Sequence, residues 1–165
     1  MKRTLIVALV FILGSSATFA GGRKGAILHQ STKTITLNSS FNKVTVGENL
    51  KVVFTSQAGL DVSISGDQKF VDGVNLQVKD GILVIDAKAG VNHLTGTIYL
   101  PANNLTLIEA KADSKISSNG FLNSRNLTIV INEGSRVELK NKGTLTFKSE
   151  SGTTLDFEKY QSIQE

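Results

Sequence analysis

Between residues 34 and 100 apolar and polar residues alternate in short bursts, the period of two that sends successive side chains to opposite faces of a half-buried strand. The bursts are Thr34-Ile35-Thr36-Leu37, Val44-Thr45-Val46, Leu50-Lys51-Val52-Val53-Phe54 and Leu60-Asp61-Val62-Ser63-Ile64, the last of them stopping at Gly66-Asp67. Val74-Asn75-Leu76-Gln77-Val78 and Ile82-Leu83-Val84-Ile85 flank Asp80-Gly81, a favoured two-residue hairpin turn, and so predict a local antiparallel pair. Thr97-Ile98-Tyr99-Leu100 runs into Pro101, whose missing N–H suits a strand end or an edge. No segment of ordinary helix length carries a 3.6-residue period, and only residues 68–74 leave room for a brief helical turn.

Further along, the alternation becomes a repeat. Asp113-Ser114-Lys115-Ile116, Gly134-Ser135-Arg136-Val137 and Gly152-Thr153-Thr154-Leu155 follow one another at spacings of 21 and 18 residues. The same slide aligns Ile108 with Ile129 and Phe147, and Ala110 with Ile131 and Ser149. A match at such a period marks a coil stacked on near copies of itself. In a parallel coil, equivalent residues stack at roughly 4.8 Å. That predicts inward ladders of Ile108, Ile129 and Phe147, and of Ile116, Val137 and Leu155. The hydroxyls of Ser114, Ser135 and Thr153 form a third ladder, whose role is corner hydrogen bonding, the habit of Ser and Thr at turns. The residues beside them, Lys115, Arg136 and Thr154, then stack outward. The expected fold is all-β, a single-domain parallel β-helix (β-solenoid) of short strands, with antiparallel hairpins in its N-terminal part.

Composition adds the compartment. Lys2 and Arg3, the apolar run from Leu5 to Leu13 and the small-residue exit Ala17-Thr18-Phe19-Ala20 have the three-part form of a secretory signal, with cleavage after Ala20. Nine apolar residues are too few to cross a bilayer core of about 30 Å as a helix, and no later run approaches the roughly twenty required. The expected organisation is a signal at 1–20, a loose arm at 21–30, the β domain at 31–157 and a polar tail or cap at 158–165. With no cysteine anywhere, neither disulfides nor a lipidated cysteine is available, so packing alone must hold an exported, soluble domain together. Losing Lys2 and Arg3 with the leader takes the formal charge from +4 to +2. Scattered basic residues and a near-neutral balance do not describe a nucleic-acid binder.

The ordered series Phe41-x-x-Val44-x-Val46, Leu50-x-Val52-x-Phe54, Leu60-x-Val62-x-Ile64-x-Gly66-Asp67, Val78-Lys79-Asp80-Gly81-x-Leu83-x-Ile85 and Ile98-x-Leu100-Pro101, followed by the corner repeats, resembles the autotransporter-adhesin head domain, the head GIN domain family (DUF2807). The resemblance covers residues 39–157. It implies an exported bacterial β-solenoid without an established enzymatic activity. Members usually carry further rungs after the second or third corner, so a shorter coil is implied here. Without a long C-terminal segment to form a membrane barrel, the autotransport mechanism is not carried over with the family name.

Candidate chemistry is sparse. The two histidines, His29 and His93, have no spacing that makes a metal pair, and a zinc site needs several His or Cys ligands. Asp72-Gly73-Val74-Asn75 lacks the remaining ligands of a calcium loop. Glu138 and Asp156, 18 residues apart at equivalent places on successive rungs, are an acidic pair of the kind glycoside hydrolysis uses at about 5–9 Å, or else two solvated charges. No cofactor is expected. Three functions follow: a non-catalytic, adhesin-like module touching glycan, envelope or protein through Lys115, Arg136 and Thr154; a polysaccharide-active enzyme using Glu138 and Asp156; and a structural component assembling into homo-oligomers through its coil ends. The polar tail from Glu158, with Tyr160 and Ile163, is expected to cap the last rung.

Overall fold

A computed structural model describes residues 30–91, 95–102 and 104–149. The expected signal, the expected arm apart from Gln30, both histidines, Thr153, Thr154, Leu155, Asp156 and the tail lie outside the described residues.

Among the described residues the chain is all-β apart from one short helix. Its elements are β1 (Gln30–Thr36), β2 (Lys43–Val46), β3 (Lys51–Thr55), β4 (Asp61–Asp67), α1 (Gln68–Gly73), β5 (Val74–Lys79), β6 (Ile82–Ala87), β7 (Gly96–Pro101), β8 (Leu107–Ala110), β9 (Lys115–Leu122), β10 (Asn126–Ile131), β11 (Arg136–Asn141) and β12 (Thr144–Ser149). They form two six-stranded mixed sheets, one ordered β1-β4-β7-β3-β9-β11 and the other β5-β6-β2-β8-β10-β12. We call these the first and second sheets. Successive pairs β2–β3, β6–β7, β8–β9 and β10–β11 each give one strand to either sheet, and the strands of these four pairs lie parallel to their neighbours wherever two of them meet.

Alternation explains which side chains are inside. Val44 and Val46, Val52 and Phe54, Val62 and Ile64, Leu83 and Ile85, Ile98 and Leu100, and Ile108 and Ala110 are buried, while the residues between them face out. They form one continuous cluster between the sheets. Fully burying such a side chain contributes roughly 1.5–3 kcal/mol, which is how a chain without disulfides holds two sheets together. The expected ladders are present where residues are described: Ile108 lies beside Ile129, Ile129 beside Phe147, and Ile116 beside Val137.

Antiparallel pairing is confined to one end. The Asp80-Gly81 turn, with φ of 52° and 73°, closes the β5/β6 hairpin, and β1 pairs with β4 and β4 with β7. The expected brief helical turn is α1, which leads from β4 in the first sheet to β5 in the second and buries Phe70 and Val71. Gly96 leaves room for the Phe70 ring, which would collide with any Cβ at that position. The N-terminal part is otherwise less hairpin-like than its alternation suggests. β2 and β3 join the parallel stack, inserted between β6–β7 and β8–β9.

That insertion extends the corner repeat. Asn49-Leu50-Lys51-Val52 occupies the same place as Asp113-Ser114-Lys115-Ile116, with Lys51 directly beside Lys115. Asn49, Asp113 and Gly134 all sit in the left-handed region, at φ of 56°, 57° and 73°. Asn and Asp tolerate that conformation better than other side chains, and Gly takes it freely. The corners are tied by Asn49 N–H to Ala112 O (3.1 Å), Asp113 N–H to Glu133 O (3.1 Å), Lys115 N–H to Leu50 O (2.8 Å) and Arg136 N–H to Ser114 O (2.9 Å). Ser114 Oγ lies 3.3 Å from Ser135 Oγ, and Ser135 donates to the Lys111 carbonyl. Their hydroxyls therefore serve the corner.

Candidate functional site

The outward residues of the first sheet form a face whose rows can be read from the register. One row crosses Thr32, Ser65, Thr97, Lys51, Lys115 and Arg136, on β1, β4, β7, β3, β9 and β11 in turn. The next crosses Thr34, Ser63, Tyr99, Val53, Ser117 and Glu138. The face is thus hydroxyl-rich at one side and cationic at the other. Lys115 and Arg136, expected to stack outward, are paired across β9 and β11. Lys51 adds a third cation to the same row. The expected third member, Thr154, lies outside the described residues.

Lys51 lies outside the 21- and 18-residue corner repeat. A slide of 64 residues aligns Val44 with Ile108, Val46 with Ala110, Lys51 with Lys115 and Val52 with Ile116, and all four pairs are neighbours in space. That slide is about three times the 21-residue spacing of the corner repeat, because β4, α1, β5, β6 and β7 intervene.

Opposite charges are scarce in the cationic row. Arg136 Nε lies 2.6 Å from Glu138 Oε1, with both side chains largely exposed at 76% and 60%. Neither Lys51 nor Lys115 has an ion-pair partner among the described residues. Like charges directly opposite on neighbouring strands are destabilising, although exposure and salt keep the cost small. Edge protection accounts for Arg136 on β11, the last described strand of its sheet, but not for lysines on the interior strands β3 and β9.

The acidic pair fares differently. Asp156 is outside the described residues, so Glu138 is the only member that can be placed. It stands on an open face, engaged by Arg136, and its row contains no other carboxylate. Among the described residues no group of three or more His, Cys, Asp or Glu could hold a metal.

The second sheet has a concavity of about 430 Å³ whose lining includes Thr45, Glu48, Val84, Asp86 and Lys111. Two of its lining residues are engaged by Glu109: Thr45 donates to Glu109 Oε2 at 3.1 Å, and Lys111 pairs with Glu109 Oε1. It has no sequence motif behind it.

Two mixed sheets packed around one core, with no metal-ligating cluster among the described residues, define an all-β domain. The chain belongs to the family described as "Putative auto-transporter adhesin, head GIN domain", whose model matches residues 40–158. Its fold is similar to that of a "putative adhesin" from Parabacteroides merdae, at 24% identity and a TM-score of 0.63, over 73% of this chain and 52% of that one. A "putative adhesin" from Parabacteroides distasonis has 21% identity and a TM-score of 0.60, over 74% and 57% of the two chains. A "putative lipid binding protein" from the same species has 15% identity and a TM-score of 0.54, over 73% and 60%. The chain therefore spans between half and three fifths of the length of these proteins. No curated protein matches it. Among the described residues no helix is long and apolar enough to cross a membrane.

Proposed function

We propose that this chain is an exported, non-catalytic binding module of a bacterial cell envelope, a short parallel β-solenoid over residues 31–157 behind a cleaved signal at 1–20 and an arm at 21–30. Its working surface is the outer face of the first sheet, and its partner there is negatively charged. The observation that carries this reading is the row Lys51, Lys115 and Arg136, in which three cations stand side by side against one neighbouring carboxylate. Membership of an adhesin-type family and the fold shared with proteins described as adhesins support it.

The enzyme reading has less behind it. Glycoside hydrolysis uses two carboxyl groups about one bond, and among the described residues only Glu138 of the pair is placed, exposed and engaged by Arg136. Assembly through coil ends draws on a different observation: Val137, Leu139, Leu145 and Phe147, on the last described strands, are only partly buried. A monomer at high concentration in light scattering would dispose of it.

The test is retention of the full chain on a bacterial envelope preparation. Replacing Lys115 and Arg136 together by Ser should lower retention several-fold with the fold unchanged by circular dichroism. Undiminished retention would remove this face from the reading.

A further inference from the structure

We infer that the partner is an acidic polysaccharide, lying across the strands of the first sheet so that Lys51, Lys115 and Arg136 meet its anionic groups and Tyr99 meets a sugar ring. This rests on the proposed function and narrows it to one class of ligand. Three observations bear on the choice. The cations are spaced by the sheet itself, at roughly the 4.8 Å of adjacent strands, so they present charge as a line rather than a cluster. A line of charge suits a linear polyanion.

The same row then continues into hydroxyls, Thr97, Ser65 and Thr32, with Thr34, Ser63 and Ser117 in the row beside it. These groups both donate and accept, which matches the hydroxyls of a sugar chain better than the acceptor-only carboxylates of an acidic peptide. Ser65 Oγ also lies within 3.1 Å of Gln30 Nε2 and 3.3 Å of Thr32 Oγ1, so this part of the face is already a linked polar surface.

Tyr99 supplies the third observation. It is one of few large hydrophobic side chains left exposed among the described residues, at 41%, although its strand β7 lies inside the sheet between β4 and β3. Its position is one strand and one row from Lys51, diagonal across the face. An exposed aromatic ring with an apolar body and a polar tip, among hydroxyl side chains, suits a ring with one apolar face. Phe121, also exposed, is set near the far end of the same sheet by the irregularity that shifts the β9/β11 register between Glu138 and Lys140.

The experiment measures binding of the full chain to polygalacturonate, dextran and polyglutamate at low and at moderate salt, alongside retention on the envelope preparation. Polygalacturonate should bind and weaken as salt rises, dextran should not bind, and polyglutamate should bind more weakly than polygalacturonate. Lys51→Ser should weaken polygalacturonate binding by roughly three- to fivefold, the scale of one exposed ionic contact. Tyr99→Ser should weaken it by about fivefold while Tyr99→Phe keeps it. Dextran bound as tightly as polygalacturonate, with Lys51→Ser inert, overturns the acidic requirement. Polyglutamate bound as tightly, with Tyr99→Ser inert, overturns the sugar. Envelope retention without binding to any of the three polymers overturns this inference and leaves the binding module standing; loss of both removes the two together.

Discussion

The two ends of the stack are built from the same alternating strands and finished in different ways. At one end α1 carries the chain from the first sheet to the second, and Phe70 and Val71 fill the space beneath it to 1% and 2% exposure. β1 lies over that end through contacts with both β4 and α1, and Ser31 donates to Gln68 of the helix at 2.5 Å. At the other end β11 and β12 are the last described strands, and their inward residues Val137, Leu139, Leu145 and Phe147 remain only partly buried. A strand buries its inner face fully only when a neighbour lies on each side. Local stability is therefore expected to fall toward the strands with fewer buried contacts.

The comparison breaks most readily at its closed end. Phe70→Ala should cost about 3–5 kcal/mol, since it empties a site that Gly96 was kept small to admit. A denaturant midpoint within error of the parent would mean that α1 is not a working plug. Phe147→Ala, at the other end, should cost roughly 1–2 kcal/mol, because a half-buried ring has less burial to lose. Equal losses at the two positions would erase the gradient between them.

The corners bear on the same gradient. Gly134→Ala puts a Cβ into the left-handed region, at φ 73°, and against the Asp113 carboxylate. It should cost roughly 1–2 kcal/mol by the usual penalty for an L residue there, and hydrogen exchange should rise in β10 and β11 before β3. Exchange rising uniformly would show that the stack opens as one unit. The smallest effect belongs to the outer face: Lys115→Ser should raise stability by a few tenths of a kcal/mol at low salt, through relief of like-charge pairing, and the gain should vanish at about 1 M salt. A loss at low salt would mean that the cationic row is not in conflict with itself.

Much of the fold was legible in the residues, and the reason is local. Alternation identified the inner and outer side of nearly every strand, and the Asp80-Gly81 turn identified a hairpin because only a left-handed pair closes so tight a loop. Lys115 and Arg136 could be paired because their rungs follow one another in sequence. What alternation does not carry is the identity of a strand's neighbour, since each face repeats every two residues whatever lies beside it. Hence alternation predicts strands at β2 and β3 without placing them between later strands, and nothing in it singles out Lys51. Its likeness to Lys115 spans 64 residues, too far for a search tuned to one rung. The Phe70–Gly96 contact was equally hidden, because neither residue has a periodic partner.

The insertion of β2–β3 between later strands also sets an order of assembly. Val52 must find Ile98 on one side and Ile116 on the other, residues 46 and 64 positions further along the chain. Such closures are the slow ones in folding, because loop entropy is lost before contacts repay it. A chain emerging N-terminus first thus carries an early rung with two open edges until most of its length has followed. The part synthesised early becomes the middle of the finished object. Any helper that holds the nascent polypeptide has to shield β3 until β9 arrives, and a polypeptide interrupted before residue 115 would be left with one side of its central strand exposed to its own copies.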